Sequence, residues 1–594
     1  MKDFFKKIMA IIFASVLFLG VTVSCNGGGG ESGSGNNNGG SESVDNGKTD
    51  ASKTQYMISA YDGAYKQEWI ARICNELNAL LKDVSFETGK KGVQFKYAGD
   101  KSQTTAADIK NGTSKYDLYI TSESSPSGDG SEYIGVKNGK IDFGNVNAYD
   151  LTDILSAKVL DENGEVTEID PETKAFKTTD KKSLLDMLDP EIVDEWNFAK
   201  ADGAPEGKDK IYYFMPFEDV PCGFIVDYDY LTKNGLTGTG IEGMPADMDE
   251  LYNILERYNG WGLGSGINFY LKCYENAMRA KVDGIEKLKN MAYLFNDAEG
   301  YDFNGDGTIT DDEKIYYREN GTSYETNAYL ATKTRGYLET VKFAKRITYK
   351  DASSGDTYFY SGTLSESFKN MQSSFVNSKN SKFQKPIVSI FDGEFWENEA
   401  EAWFNQARDP ADKFGKRDFR MVPIPKKVTD NDAESKYLLS SKQTSMIVVN
   451  PKRVRGNEAK EKLTAILLQY IFSRKGLATI NTVTNISMPS YKYELTTEEY
   501  NSLTKYAQYM YRLYRNPEFE YFRVSGVANF IKNPSLFIRD VSVTYAGSVI
   551  SQMTNMAVNS TKATGTSLGY DSSAEDWQNF MFNYYKKVHT GSAN

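Results

Sequence analysis

The chain has 594 residues, of which 40% are apolar, 13% aromatic and 25% charged; collagen-like and wholly disordered chains are excluded, and there is room for roughly three to four folding units or two large lobes. Its 69 Lys and Arg against 81 Asp and Glu give a net charge of −12, and with no basic run this excludes a polyanion such as nucleic acid as the natural partner. One histidine in the chain, His589, also excludes Ser/His/Asp triads, Cys/His pairs and HExxH zinc chemistry.

The first residues read as an export signal. Lys2, Lys6 and Lys7 make a basic start, residues 8–23 are an apolar stretch, and small Ser24 precedes Cys25. An ordinary cleaved signal or a signal anchor would look similar, but the order Thr22-Val23-Ser24-Cys25 resembles a bacterial lipobox, with Thr22 in the place usually held by Leu. In that reading residues 1–25 are the signal with its lipobox, and the Cys25 thiol carries the lipid. Residues 26–54 follow as a flexible Gly/Ser/Asn tether without apolar periodicity. Past Cys25 the thiols are Cys74, Cys222 and Cys273, an odd number without metal-binding spacing, so at most one disulfide is possible and free buried thiols are expected.

The body alternates strands and helices, the pattern of an α/β architecture. Tyr56, Ile58 and Ala60 alternate along a first strand, and Trp69, Ile73, Leu77 and Leu80 recur at helical spacing after it. Strands are expected at 93–97, 116–121, 211–217 and 223–227, and a helix at 247–258 with Met248, Leu251, Ile254 and Leu255 on its apolar face. Long helical patterns follow at 267–295, 327–347 and 364–376. A short apolar strand at 386–391 enters Asp392-Gly393-Glu394-Phe395-Trp396; strands are read at 419–425 and 445–449, and an amphipathic helix at 457–472.

Between the helical patterns lies Asp302-Phe303-Asn304-Gly305-Asp306-Gly307-Thr308-Ile309-Thr310-Asp311-Asp312-Glu313. It places Asp or Asn at the first, third and fifth positions of an EF-hand-like loop, Gly at the sixth and Glu at the twelfth. A hard cation such as calcium needs these oxygen donors and this sharp turn. The expected ligands are Asp302, Asn304, Asp306, Thr308, Thr310 and Glu313, making one structural Ca²⁺ site; without a paired hand, sensing is not expected.

The ordered landmarks resemble the family 1 extracellular solute-binding proteins, the carbohydrate receptors of bacterial ABC importers. Asp117-Leu118-Tyr119-Ile120 is similar to the family's strand before its first ligand loop. Met215-Pro216-Phe217 followed by Phe224-Ile225-Val226-Asp227 and Asp229-Tyr230-Leu231 resembles its first crossover. Met244-Pro245 through Leu251 resembles a helix start in which Met248 stands where a Trp is usual. Ser365, Phe368, Lys369, Asn370 and Met371, then Ile390-Phe391-Asp392-Gly393-Glu394-Phe395-Trp396, resemble the region carrying the family's platform Trp. Met421-Val422-Pro423-Ile424-Pro425, the helix at 459–473 and Asn485-Ile486-Ser487-Met488-Pro489 continue the series.

The resemblance implies a two-lobe periplasmic-binding-protein fold, with lobe 1 at 55–220 and 386–447 and lobe 2 at 221–385 and 448–594. Crossings are expected near 217–222 and 391–396, with ligand held between the lobes by a hinge motion. It also implies a non-catalytic, monomeric receptor, lipid-anchored on the extracytoplasmic side of a bacterial membrane, that hands an oligosaccharide to the permease subunits of an ABC importer. Sugars call for aromatic platforms beside hydrogen-bonding rims, so the implied ligand residues are Tyr61, Asp62, Ser122, Glu123, Glu218, Asp219, Trp261, Glu394 and Trp396. Arg512, Arg515 and Arg523 are candidates for a charged ligand. Two alternatives stay open: a hydrolase using Glu218 with Asp219 or Glu394 with Glu397, and a lipid-anchored adhesin.

Overall fold

The computed structural model describes residues 48–590 except 61–64, 100–104, 122–132, 138–139, 259, 264–267, 294–299, 304–305, 321–322, 349–366, 379–384, 430–431, 433, 442–444, 524–548, 550–567 and 569–571. The first strand, Thr54–Ala60, buries Tyr56, Ile58 and Ala60 and pairs in parallel with Val93–Gly99 on one side and Leu118–Ile120 on the other. Alternating apolar residues fit the period of two along a pleated strand. Helix Glu68–Leu80 covers this sheet with Trp69, Ile73, Cys74 and Leu77, whereas Leu80, expected as the last residue of the apolar stripe, lies exposed at the helix end. Met446–Val449 then joins Leu118–Ile120 antiparallel, and Phe214–Pro216 closes the five-stranded order.

A second sheet has the order Trp261–Leu263, Ile387–Gly393, Cys222–Asp227, Phe419–Val422. Ile387–Gly393 pairs antiparallel with Cys222–Asp227 and parallel with Trp261–Leu263, so all seven of its residues are buried. Helix Met248–Arg257 packs there through the four apolar residues expected, and the Asp247 carboxylate caps it by accepting from the Glu250 N–H at 2.8 Å. The helical pattern at 267–295 is two helices, Asn268–Asp283 and Ile285–Tyr293, divided at Gly284, whose φ of +96° lies in the left-handed region open to glycine. Beneath the second sheet Arg417 is buried. Its guanidinium pairs with Asp227, donates to the Val376 carbonyl at 2.9 Å and lies 4.6 Å over the Phe419 ring.

Among the described residues two large apolar cores result, beside a small cluster of Leu503, Ala507 and Tyr511. One gathers the first sheet with Leu463, Leu467, Ile471, Leu477 and Ile486; the other gathers the second sheet with Tyr506, Tyr509, Met510 and Trp577. This corrects the expected lobe limits: residues 386–441 belong with the second sheet and 446–493 with the first. Among the described residues the chain passes between these two cores at three places. Phe214–Pro216 leads to Cys222–Asp227, Tyr437–Ser441 leads to Met446–Val449, and Tyr493 of the first core is followed by Tyr506 of the second. No crossing occurs at 391–396, because Ile387–Gly393 stays hydrogen-bonded within the second sheet and Trp396 turns back into its core.

Candidate functional site

The first crossing places Phe217, Glu218, Asp219, Val220 and Cys222 in the wall between the lobes, all buried. Phe217 is stacked on Trp69 at a ring separation of 5.1 Å and meets Tyr65 at the same distance. The Asp219 carboxylate accepts hydrogen bonds from Arg523 Nε and Ser441 Oγ at 2.6 Å, from Ser490 Oγ at 2.5 Å and from the Tyr521 hydroxyl at 3.2 Å. Four donors occupy the sites a carboxylate offers. Asp219 is therefore a structural acceptor that ties the first lobe's Ser490 to Ser441, Tyr521 and Arg523.

Glu394 follows the strand Ile387–Gly393. Its backbone N–H donates to the Pro221 carbonyl at 3.0 Å, and its carboxylate accepts from the Ser487 N–H at 2.8 Å and the Tyr514 hydroxyl at 2.7 Å. Burial raises its carboxyl above the ordinary range. The Tyr65 hydroxyl is buried in the same region, where burial first, and then the charges of Glu218, Glu394 and Asp219, push its ionisation upward. Tyr514 thus binds Glu394, Tyr521 binds Asp219, and Tyr65 lies near enough to feel the charges of both and of Glu218, where the two cores adjoin. Such a set combines apolar ring faces with acceptors and hydroxyls.

Trp396 departs from its expected role as a platform. It has no exposed surface, being enclosed by Phe375 at 5.2 Å, Phe419 at 4.8 Å, Phe404 at 5.8 Å and Tyr506 at 6.1 Å. The chain turns into the helix Trp396–Glu399, directing the indole into the second core and leaving its neighbour Phe395 at the junction, where that ring meets Tyr270 at 5.9 Å. Trp261 lies on the edge strand Trp261–Leu263, and its side chain is outside the described residues, as are Tyr61, Asp62, Ser122, Glu123 and Cys25.

The arginines considered for a charged ligand have internal carboxylate partners: Arg512 binds Glu242 through two bonds of 3.0 and 2.8 Å, Arg515 pairs with Glu494 at 3.0 Å, and Arg523 holds Asp219. Of the carboxylate pairs considered for hydrolysis, Glu394 and Glu397 are held by different partners. Glu397 accepts from Thr504 Oγ1 at 2.7 Å, and burial pushes its carboxyl up to about 7; Glu394 faces Ser487 and Tyr514, and Asp219 has its acceptor sites filled. Sequence reasoning missed Tyr65, Tyr270, Phe395, Tyr514 and Tyr521. Any signal for them was hidden in a chain with 40 Tyr and 32 Phe.

In the acidic loop, Asp302 accepts from the Asp306 and Gly307 N–H groups at 3.1 and 2.7 Å, and Asp306 accepts from the Thr308 N–H at 2.8 Å. Glu313 joins the two ends of the loop, accepting from the Phe303 N–H at 3.0 Å and from the Thr310 N–H and hydroxyl at 2.9 Å. Gly307, with φ of +84°, makes the turn that the motif requires of its sixth position. Among the described residues no three thiol, imidazole or carboxylate groups close up as a formed metal cage; Asn304 lies outside them.

A cavity of about 750 Å³ opens on the second lobe beside Ile241, Tyr252, Lys426 and Glu518, and one of about 400 Å³ on the first beside Leu188, Tyr212 and Lys492. Neither is lined by the junction carboxylates. No helix among the described residues is long and apolar enough to cross a membrane.

No protein-family model and no curated protein matches the chain. Solved structures do. A chitin oligosaccharide binding protein is 12% identical, with 90% of this chain and 99% of that one covered and a TM-score of 0.48. RafE from Streptococcus pneumoniae, in its apo form, is 8% identical over 91% of this chain and 100% of that one, with a TM-score of 0.49. A family 1 extracellular solute-binding protein from Bifidobacterium longum subsp. infantis is 12% identical over 90% and 100%, with a TM-score of 0.42.

Proposed function

We propose that this chain is a non-catalytic, extracytoplasmic solute-binding protein that captures an oligosaccharide between two α/β lobes and delivers it to the permease of an ABC importer. The observation that carries the reading is the junction itself. Two sheets with separate cores are joined where the chain crosses at 217–222, 441–446 and 493–506, and a tyrosine–carboxylate cluster sits at that crossing. A multi-strand hinge lets two rigid bodies close on a ligand without unfolding either, and hydroxyl-rich ligands suit rings beside acceptors. The carboxyl ends of the parallel strands Thr54–Ala60 and Leu118–Ile120, where α/β sheets place ligand loops, lead into the segments that hold Tyr61, Asp62, Ser122 and Glu123. Lipid at Cys25, with residues 26–54 as a leash, would keep a monomeric body at the outer face of a bacterial membrane.

The same reading gives residues 302–313 a structural Ca²⁺. Asp302, Asp306 and Glu313 supply hard carboxylate oxygens around a turn that already has the required Gly, and Asn304, Thr308 and Thr310 complete the oxygen set. Bound calcium would neutralise the acidic loop and tie its two ends. A glycan array probed with the chain lacking residues 1–25 tests the ligand class: retention of oligosaccharides supports it, and an array silent to every glycan while the protein is folded overturns it.

A further inference from the structure

Two of the three body thiols meet at the hinge. Cys222 opens the strand that leaves the first crossing, and Cys273 lies on helix Asn268–Asp283, whose Cα atoms come within 8 Å of that strand's. The strand and the helix are close beside these residues. A Cβ added to Gly223, next to Cys222, would stand 3.3 Å from the ring of Tyr274, next to Cys273. Neighbouring strand residues fix both: Ser440 Oγ donates to the Cys273 carbonyl at 2.6 Å, and Ser441 bridges to Pro221. Both cysteines are free thiols buried in the same apolar cluster, and each lies near enough to the other for Cys273 to bear on the ionisation of Cys222. Cys74 stands apart on helix Glu68–Leu80, against the first sheet.

We propose that Cys222 and Cys273 are a disulfide site, joined when the protein matures in an oxidising compartment, and that the bond staples the first crossing strand to the second lobe's helix. The compartment in this inference rests on the export reading; the pairing rests on the geometry above. Disulfide bonding requires Cα atoms within about 7 Å and facing Cβ vectors; strand Cys222–Asp227 packs on helix Asn268–Asp283 with Cα atoms within 8 Å, and both thiols lie in one buried cluster. In the reaction two S–H bonds break and one S–S bond forms. The two electrons and two protons released reduce the disulfide of a small-molecule or protein donor to two thiols. Burial raises the Cys222 thiol well above its ordinary range, and the thiolate is the attacking species; exchange therefore belongs to the folding chain, before the strand and helix close over the sulfurs.

Trypsin separates the three thiols onto different peptides: residues 73–82 carry Cys74, 211–233 carry Cys222 and 273–279 carry Cys273. The full chain is unfolded, refolded in a buffer of reduced and oxidised glutathione, alkylated, digested without reductant and analysed by mass spectrometry; protein isolated from the cell envelope is treated the same way without refolding. The expected result is one linked peptide pair, 211–233 with 273–279, lighter by two hydrogens than the two peptides together, with 73–82 alkylated. Recovery of 211–233 and 273–279 separately alkylated from the refolded protein, or linkage of either to 73–82, overturns the proposal. A linked pair after refolding with free thiols in the envelope material supports the pairing and counts against the oxidising compartment, so failure of the pairing and failure of the export reading give different results.

Discussion

Trp396 shows how much a single residue's setting decides. A Trp after Gly-Glu-Phe at the end of a strand has the sequence context of a ligand platform, yet four rings from separate elements enclose it. Its removal belongs to stability: Trp396→Ala should lower the unfolding free energy by about 3–5 kcal/mol, the cost of an aromatic cavity in a packed core. Denaturant titration checks this, and an unchanged midpoint with lost sugar affinity would return the residue to the site. Close by, Glu397 gives a pH signature. Its carboxyl, pushed up to about 7 by burial, stays protonated in the folded state over the range from the ordinary Glu value of 4.5 to about 7, where the unfolded chain has ionised. Across that window the folded state binds more protons, so the Glu397 contribution to stability falls as pH rises. Glu397→Gln, which cannot ionise, should flatten this decline in thermal unfolding measured between pH 4.5 and 7.5; a mutant curve parallel to the wild type would contradict it.

Among the elements, helix Pro190–Glu195 of the first lobe and helix Ile285–Tyr293 of the second are joined by the ion pair Glu191–Lys289, and Lys66 of the first lobe pairs with Glu401 on helix Glu401–Gln406 of the second. The Lys289 side chain is 5% exposed and that of Glu191 43%, which places the first pair between a surface contact worth about 0–1 kcal/mol and a buried one. Replacing both Lys66 and Lys289 with Ala should raise the radius of gyration of the ligand-free protein at low salt. Added salt should move the wild type the same way; equal scattering from both proteins would show that the pairs do not hold the lobes.

The loop at 302–313 is tested by calcium removal. Ligand at a hundredfold excess over its dissociation constant stabilises the folded state by about 2.7 kcal/mol. A chelator should therefore lower the melting temperature of the wild type, and Glu313→Gln should remove most of that response. A melting curve that chelation does not move would leave the loop as a turn held by Glu313 and its backbone donors.

The elements also show what was legible in the sequence. Helix Met248–Arg257 and strand Thr54–Ala60 are one-sided, so their periodicity revealed both type and buried face. Ile387–Gly393 is buried along its whole length, and a continuous apolar run reads alike whether the strand crosses between lobes or stays within one. The resemblance implied the second crossing at 391–396, and the run itself could not correct it; the change of core falls between Ser441 and Met446. The junction tyrosines were illegible for a related reason: Tyr65, Tyr514 and Tyr521 come from distant parts of the chain, and spacing records nothing about side chains that meet only after three crossings.

At the scale of the whole molecule, the proposed function requires two lobes to close on an oligosaccharide at the junction. Each sheet keeps its own core, so closure would move two bodies about the crossings and need no repacking of either. A ligand drives that motion only by binding the closed form more tightly than the open one. The most direct measurement is small-angle X-ray scattering of the chain lacking residues 1–25, with and without an oligosaccharide at a concentration that calorimetry shows to be saturating. Closure should give a smaller radius of gyration in the saturated protein; full occupancy with an unchanged scattering curve would show that the lobes do not close on the ligand.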